Sequence, residues 1–180
     1  MDTHIKFAKV RPDAKIPNKR EEDAAMDIYA CFDDNYMEIM PNETKMIPTG
    51  IMSACEKDYC IILKERGSTG SKGMALRCGV IDSGYRGEIF VAITNTTDKI
   101  IFISKLQRQE LLAKYINANM REQNSIIYPY EKAIAQALVI PVPNTVIEEV
   151  SYEELQMIAS ERGTGKLGSS NKWWHQNILH

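Results

Sequence analysis

The 180-residue sequence predicts one all-β domain, and three observations carry that expectation. Short apolar runs of strand-forming residues recur along most of the chain. Pro and Gly separate them at the spacing of a sandwich or barrel. No strand–helix alternation appears, so a parallel nucleotide-binding sheet is not expected. The candidate strands are residues 5–10, 24–30, 45–51, 60–63, 89–94, 100–103, 125–128 and 135–141. Between them lie Pro12, Pro17, Pro41, Pro48, Gly50, the glycines of 67–73, Gly84 and Gly87.

Two segments read as helix. Ser104-Lys105-Leu106-Gln107 has the form of a capping box. Leu111, Leu112, Tyr115 and Ile116 follow at helical spacing, which leaves Arg108, Gln109 and Glu110 mostly on the polar side. Ser151-Tyr152-Glu153-Glu154 repeats the capping signal ahead of Leu155 and Ile158. Beyond Ser160 the chain turns Gly- and Ser-rich, a composition that buries no core. The expected organisation is therefore a domain over 1–160 and an arm over 161–180.

Composition narrows the chemistry. Hydrophobic residues make up 44% and charged residues 26%, an ordinary globular balance. A net charge of −2 gives no footprint for direct nucleic-acid binding, which draws on clustered Lys and Arg. The three histidines, His4, His175 and His180, all lie at the ends, so a Ser-His-Asp, Cys-His or His-rich metal site lacks its imidazoles. Cys31, Cys55, Cys60 and Cys78 form no C-x-x-C pair and read as free thiols. The start MDTHIKFAKV has no apolar leader, and no apolar stretch reaches membrane-spanning length. A cytoplasmic protein is the expectation.

The densest signal is Gly79-Val80-Ile81-Asp82-Ser83-Gly84-Tyr85-Arg86-Gly87-Glu88-Ile89. Apolar runs flank a Gly-containing turn, which reads as a hairpin-like element. Gly84 and Gly87 permit unusual backbone angles or close approach. Tyr85 offers a ring for stacking on a base or sugar, and Asp82 a carboxylate that can orient and deprotonate water. On these residues alone, a turn capped by Asp82 and Ser83 with a packing Tyr85 is an equally simple account. Two Gly-rich loops led by arginines, 65–73 and 162–171, add amides and hydroxyls that can converge on phosphate oxygens. Neither is a Walker A loop. Residues 163–168 match G-x-G-x-x-G but lack the strand, helix and acidic residue that a dinucleotide site needs.

Together these segments resemble the trimeric dUTPase family, through five motifs in order. Residues 23–30 (DAAMDIYA) resemble the first, 66–70 (RGSTG) the second and 79–88 the third, while 130–136 (YEKAIAQ) resemble the fourth and 162–170 the fifth. The resemblance implies a β jelly roll, a homotrimer with shared sites, and a C-terminal arm that closes over a site. It implies hydrolysis of dUTP to dUMP and pyrophosphate, which keeps uracil out of DNA and supplies dUMP. Backbone groups of Gly79, Val80 and Ile81, with Phe90, are then expected at uracil, and Tyr85 against the deoxyribose. Asp82 is the expected holder of the attacking water. Arg66, Gly67, Ser68, Gln136, Arg162, Gly168, Ser169 and Ser170 are expected around the triphosphate with Mg2+, and Asp27 in the water network of that metal. Phosphoryl transfer rests on positioning and charge stabilisation, so the absence of a central histidine is no obstacle.

The departures are informative. Ala25-Met26 replaces a Gly-aromatic pair, Gly67 a serine, and Ala133 a basic residue, beside Lys132. Residues 88–132 are longer than the family commonly uses, and the excess falls on an insert near 104–124. That insert is either a surface elaboration or a helix that engages a partner such as a repressor, and the chain is then a nucleotide-sensing regulatory protein. A dCTP deaminase relative is the other alternative. Trp173 and Trp174 lie beyond the fifth motif with no assigned role. Leu167 stands where the arm usually presents phenylalanine to uracil. Leucine covers the base but gives up ring stacking, of order 1 kcal/mol. Leu167→Phe is therefore expected to tighten substrate binding several-fold, measured as the dissociation constant of a non-hydrolysable dUTP analogue.

Overall fold

All eight expected apolar runs carry a strand. The computed structural model describes residues 3–77, 79–115, 124–161 and 163–165. Its strands are β1 (Ile5–Lys9), β2 (Met26–Ile28), β3 (Tyr36–Ile39), β4 (Thr44–Pro48), β5 (Ile51–Cys55) and β6 (Tyr59–Lys64). They continue as β7 (Met74–Arg77), β8 (Val80–Ile81), β9 (Phe90–Asn95), β10 (Ile100–Ser104), β11 (Ser125–Pro129) and β12 (Ala135–Pro141). The helices are α1 (Gly67–Gly70), α2 (Arg108–Tyr115) and α3 (Tyr152–Met157). The strands form sheets ordered β1-β5, β11-β10-β3, β2-β12-β6-β8 and β4-β9-β7. The chain divides into two units, 1–143 and 144–180.

The first unit has one continuous core. Ile28, Ile39, Ile47, Ile51, Ile61, Met74, Val91, Ile93, Ile101, Ile103 and Tyr128 all pack in it, drawn from every sheet. β-Branched residues dominate because their branched Cβ fits a pleated, half-buried surface. Met26 packs partly buried against this cluster, so the Ala25-Met26 departure is absorbed at the core's edge.

Three local expectations are corrected. The run 45–51 is two strands in different sheets, because Pro48-Thr49-Gly50 turns the chain between β4 and β5. The segment 79–89 is not a hairpin: β8 pairs with β6, whereas β9 pairs with β4 and β7. The cap of α2 is not Ser104, which ends β10. Gln107 takes that place: its carbonyl accepts from Leu111 N at 3.0 Å, and Glu110 accepts from Gln107 N at 3.1 Å. At α3 the expected cap forms, with Ser151 Oγ accepting from Glu154 N at 3.1 Å.

The insert has a topological task. β10 and β11 run parallel, so the connection must return the length of a strand, about 16 Å. Residues 105–124 make that crossover, α2 among them, with Leu111 fully buried.

Gly50 is a crowded corner of the unit. Its φ is +67°, and a Cβ there would stand 2.8 Å from both Ala14 Cβ and Cys31 Sγ. Its carbonyl accepts from Val10 N at 2.8 Å and Arg11 N at 3.3 Å. Gly50→Ala combines backbone strain with overpacking and is expected to cost about 3 kcal/mol in urea denaturation.

Candidate active site

The expected site residues of the first unit fall into two groups, set by the sheet β2-β12-β6-β8. At one edge, Asp27 on β2 stands opposite Gln136 on β12, and Gln136 opposite Lys64 at the end of β6. Arg66 follows directly. Its Nε lies 2.9 Å from Asp27 Oδ1 and its Nη2 donates to Asp27 Oδ2 at 3.3 Å. Its Nη1 donates to Ser68 Oγ at 3.2 Å and to Ala133 O at 3.5 Å. Gln136 Nε2 donates to Glu65 O at 2.7 Å.

The Gly-rich loop after Arg66 is a single helical turn rather than an open loop. Thr69 is buried and ties the turn to Arg66, accepting from Arg66 N at 3.0 Å. Gly67 and Ser68 stay exposed. Ala133 is buried, so no charge stands at that position, and Lys132 beside it is exposed. A cavity of about 660 Å³ opens here, lined by Asp27, Arg66 and Gln136 together with Lys19, Arg20 and Asp23. Arg20 is itself paired with Asp23, at 3.0 Å for both Nε and Nη2.

At the other edge lies the loop 82–89. Gly79 O accepts from Leu63 N at 2.7 Å, and Val80 and Ile81 pair with Ile62 and Ile61. Asp82 is exposed, and its carbonyl accepts from Tyr85 N at 3.1 Å. Val80, Ile81, Asp82, Tyr85, Phe90 and Met46 line a second cavity of about 190 Å³. Exposed apolar groups gather there, with Val80 63%, Tyr85 44% and Met46 51% accessible. The carboxylates of Asp82 and Glu88 and the rings of Tyr85 and Phe90 line the same space. Neither Gly84 nor Gly87 has positive φ. Gly84 faces open space, whereas Gly87 is needed for close approach: a Cβ there would lie 2.6 Å from Tyr85 Cζ.

Three strand spacings separate β2 from β8, about 14 Å. The two groups are thus brought to one sheet but not to one cavity. Arg162, Leu167, Gly168, Ser169 and Ser170 lie outside the described residues.

Sequence reasoning missed two loop anchors. Arg86 Nη1 donates to Ser83 O at 2.6 Å and Tyr85 O at 2.9 Å. Glu88 Oε1 accepts from Gly50 N at 2.7 Å. Their partners are backbone groups, one of them far away in sequence, so no side-chain pattern announces them. Glu65 was missed for the same reason: its Oε1 accepts from Leu76 N at 2.9 Å.

The donor set bears on magnesium. Among the described residues no three His, Cys, Asp or Glu side chains gather as a metal cage. Two carboxylates line the larger cavity, Asp27 paired with Arg66 and Asp23 paired with Arg20. That set fits a hard cation held mainly by water and phosphate oxygens rather than by a protein cage.

The strand pattern and core describe a β jelly roll, with a cation-lined cavity at one edge of a sheet and an apolar cavity that holds carboxylates at the other. The dUTPase family profile matches residues 13–126, and the chain belongs to that family. It is 31% identical over 177 residues to the deoxyuridine 5′-triphosphate nucleotidohydrolase of Nautilia profundicola, covering 93% of this chain and 99% of that one. It is 32% identical over 179 residues to that of Clostridioides difficile, covering 93% and 97%. Among solved structures, the Staphylococcus bacteriophage 80alpha dUTPase with dUPNHPP superposes with a TM-score of 0.68 at 20% identity, covering 92% of this chain and 97% of that one. The EIAV dUTPase gives 0.59 at 19% identity, covering 83% and 98%.

The hydrogen bond from Leu76 N holds the Glu65 carboxyl below its ordinary value of 4.5. A lowered folded value stabilises the fold above pH 4.5, and that contribution is lost as pH falls through the folded value. Glu65→Gln is expected to flatten the loss of stability between pH 5 and pH 3, read from urea midpoints.

Proposed function

We propose that this protein hydrolyses dUTP to dUMP and pyrophosphate, removing a source of uracil in DNA and supplying dUMP. Family membership supports the reaction class. The single observation that carries the residue assignment is the smaller cavity, where the Asp82 carboxylate and the Tyr85 ring face the same space.

In this reading the base enters between Val80, Ile81 and Phe90 and meets the backbone of residues 79–81. Tyr85 lies along the deoxyribose and leaves no room for a 2′-hydroxyl. Asp82 orients a water and takes its proton as the oxygen attacks the α-phosphorus. The new P–O bond forms as the bond to the bridging oxygen of the β-phosphate breaks, and pyrophosphate leaves. Arg66, Gly67, Ser68 and Gln136 hold the phosphates together with Arg162, Gly168, Ser169 and Ser170 of the arm, and Leu167 of the arm covers the base. Arg66 is preorganised for this, since Asp27, Ser68 and Ala133 already fix its guanidinium. Asp27 would hold magnesium through water, and the bound ion would supply charge neutralisation at the phosphates.

The two cavities stand at opposite edges of one sheet, which supports a shared site in which each edge is completed by another copy. A homotrimer is the assembly we propose. We place the protein in the cytoplasm; among the described residues no helix is long and apolar enough to cross a membrane. A further role for the insert, engagement of a regulatory protein such as a repressor, is favoured by one observation. α2 belongs to a crossover beyond the family's usual length, and one superposing phage enzyme, of phage 80, is described by its SaPI-inducing capacity.

Asp82→Asn is expected to lower kcat on dUTP by at least about a hundredfold while dUTP still binds. Pyrophosphate release should be fastest with dUTP among dUTP, dTTP, dCTP and UTP, and should fall when magnesium is chelated. Ammonia release from dCTP would instead mark a deaminase.

A further inference from the structure

Resting on the reading of Tyr85 as the wall beside the sugar, we propose that Glu88 is a positioning residue that sets discrimination between 2′-deoxy and 2′-hydroxy nucleotides. The argument begins with what holds the tyrosine. Its ring lies over Gly87, where a Cβ would stand 2.6 Å from Cζ and 3.0 Å from Cε2. Its hydroxyl donates to Glu88 O at 3.0 Å. The ring is thus referenced at face and tip to the 87–88 backbone.

That backbone is fixed in turn by the Glu88 side chain, whose Oε1 accepts from Gly50 N at 2.7 Å. Gly50 makes a firm anchor. Its φ of +67° and the crowding of Ala14 and Cys31 leave the corner one conformation, and its carbonyl is bound by Val10 and Arg11. The next residue is tied to the same corner: Thr49 Oγ1 donates to Ile89 O at 2.5 Å, and Ile89 N to Ile51 O at 2.8 Å. Arg86 grips the other half of the loop, at Ser83 O and Tyr85 O. Losing the Glu88 carboxylate leaves the Asp82–Tyr85 turn held by Arg86. The Glu88–Ile89 peptide, which carries the tyrosine's acceptor, keeps its Ile89 N–Ile51 O bond but loses its side-chain anchor to Gly50.

The two substrates feel that change unequally. A deoxyribose needs only a wall somewhere near its C2′. Exclusion of one hydroxyl needs a wall that does not yield by the width of an oxygen atom. Loosening Tyr85 should raise activity on UTP more than it lowers activity on dUTP.

The test compares kcat and KM for dUTP and UTP, with magnesium, in the parent chain and in Glu88→Ala, Glu88→Asp and Glu88→Gln. The ratio of kcat/KM for dUTP over UTP should fall about tenfold or more in the Ala variant, the effect of losing a hydrogen bond to a charged acceptor. The Asp variant, whose carboxylate is one methylene short of Gly50 N, should fall in the same direction, and carries the test if the Ala variant does not fold. The Gln variant keeps an acceptor in place and should stay within about threefold of the parent. A purely structural role would lower activity on both substrates together. Parent-like discrimination in folded Glu88→Ala or Glu88→Asp, or an equal loss in Glu88→Gln, overturns the proposal. A parent chain that leaves dUTP intact overturns the reading of the site, and the proposal with it.

Discussion

The register of β12 between β2 and β6 is the constraint on which the larger cavity depends. Ala135 and Ala137 point into the core, where each is essentially inaccessible, opposite Ile28 and near Leu63. Gln136 between them must then face outward, opposite Asp27 on one side and Lys64 on the other. A slip of one residue would turn Gln136 into the core and expose two alanines, so the hydrophobic pattern fixes the position of the polar side chain. From that register follow the Gln136–Glu65 bond and the short reach of Arg66 to Asp27. Asp27, Arg66 and Gln136 come from three separated motifs, and one strand pairing gathers them.

The same sheet keeps the two cavities apart. β8 lies beyond β6, so the carboxylate of Asp82 and that of Asp27 belong to opposite edges. No side-chain rotation closes a gap of about 14 Å, since even an extended arginine reaches roughly half of it. In the proposed shared site, each edge would face a different copy of the chain. The division of labour is thus a property of strand order, not of loop conformation.

Much of this was legible in the sequence. The apolar runs marked eight strands, and the third motif marked the loop that carries Asp82 and Tyr85. β3 was not visible because Tyr36-Met37-Glu38-Ile39 is short and carries a charge. β7 was not visible because Met74–Arg77 follows the glycine cluster directly and reads as its continuation. The hairpin expectation failed because flanking apolar runs say nothing of which sheet each run joins. Ser104 looked like a cap by its letters, yet β10 extends through it, and Gln107 with Glu110 does the capping. Arg86, Glu88 and Glu65 bind backbone groups chosen by tertiary structure, so their tasks leave no mark at the level of motifs.

Charge shows why a near-neutral chain suffices for an anionic ligand. Among the cations that line the larger cavity, Arg66 is partnered by Asp27 and Arg20 by Asp23. Lys19 instead donates to two carbonyls, Asp23 O at 2.8 Å and Glu21 O at 3.4 Å. Such pairing lowers the positive potential of the cavity but fixes the direction of each donor. A guanidinium held on one side by a carboxylate still offers N–H groups on the other, and its orientation cost is met before a ligand arrives. Fixed donors aimed at a small region stabilise phosphate charge more effectively than a diffuse basic surface, because the field they produce is local and needs little reorganisation. A net charge of −2 is therefore compatible with a phosphate site, provided that the fold supplies the aim.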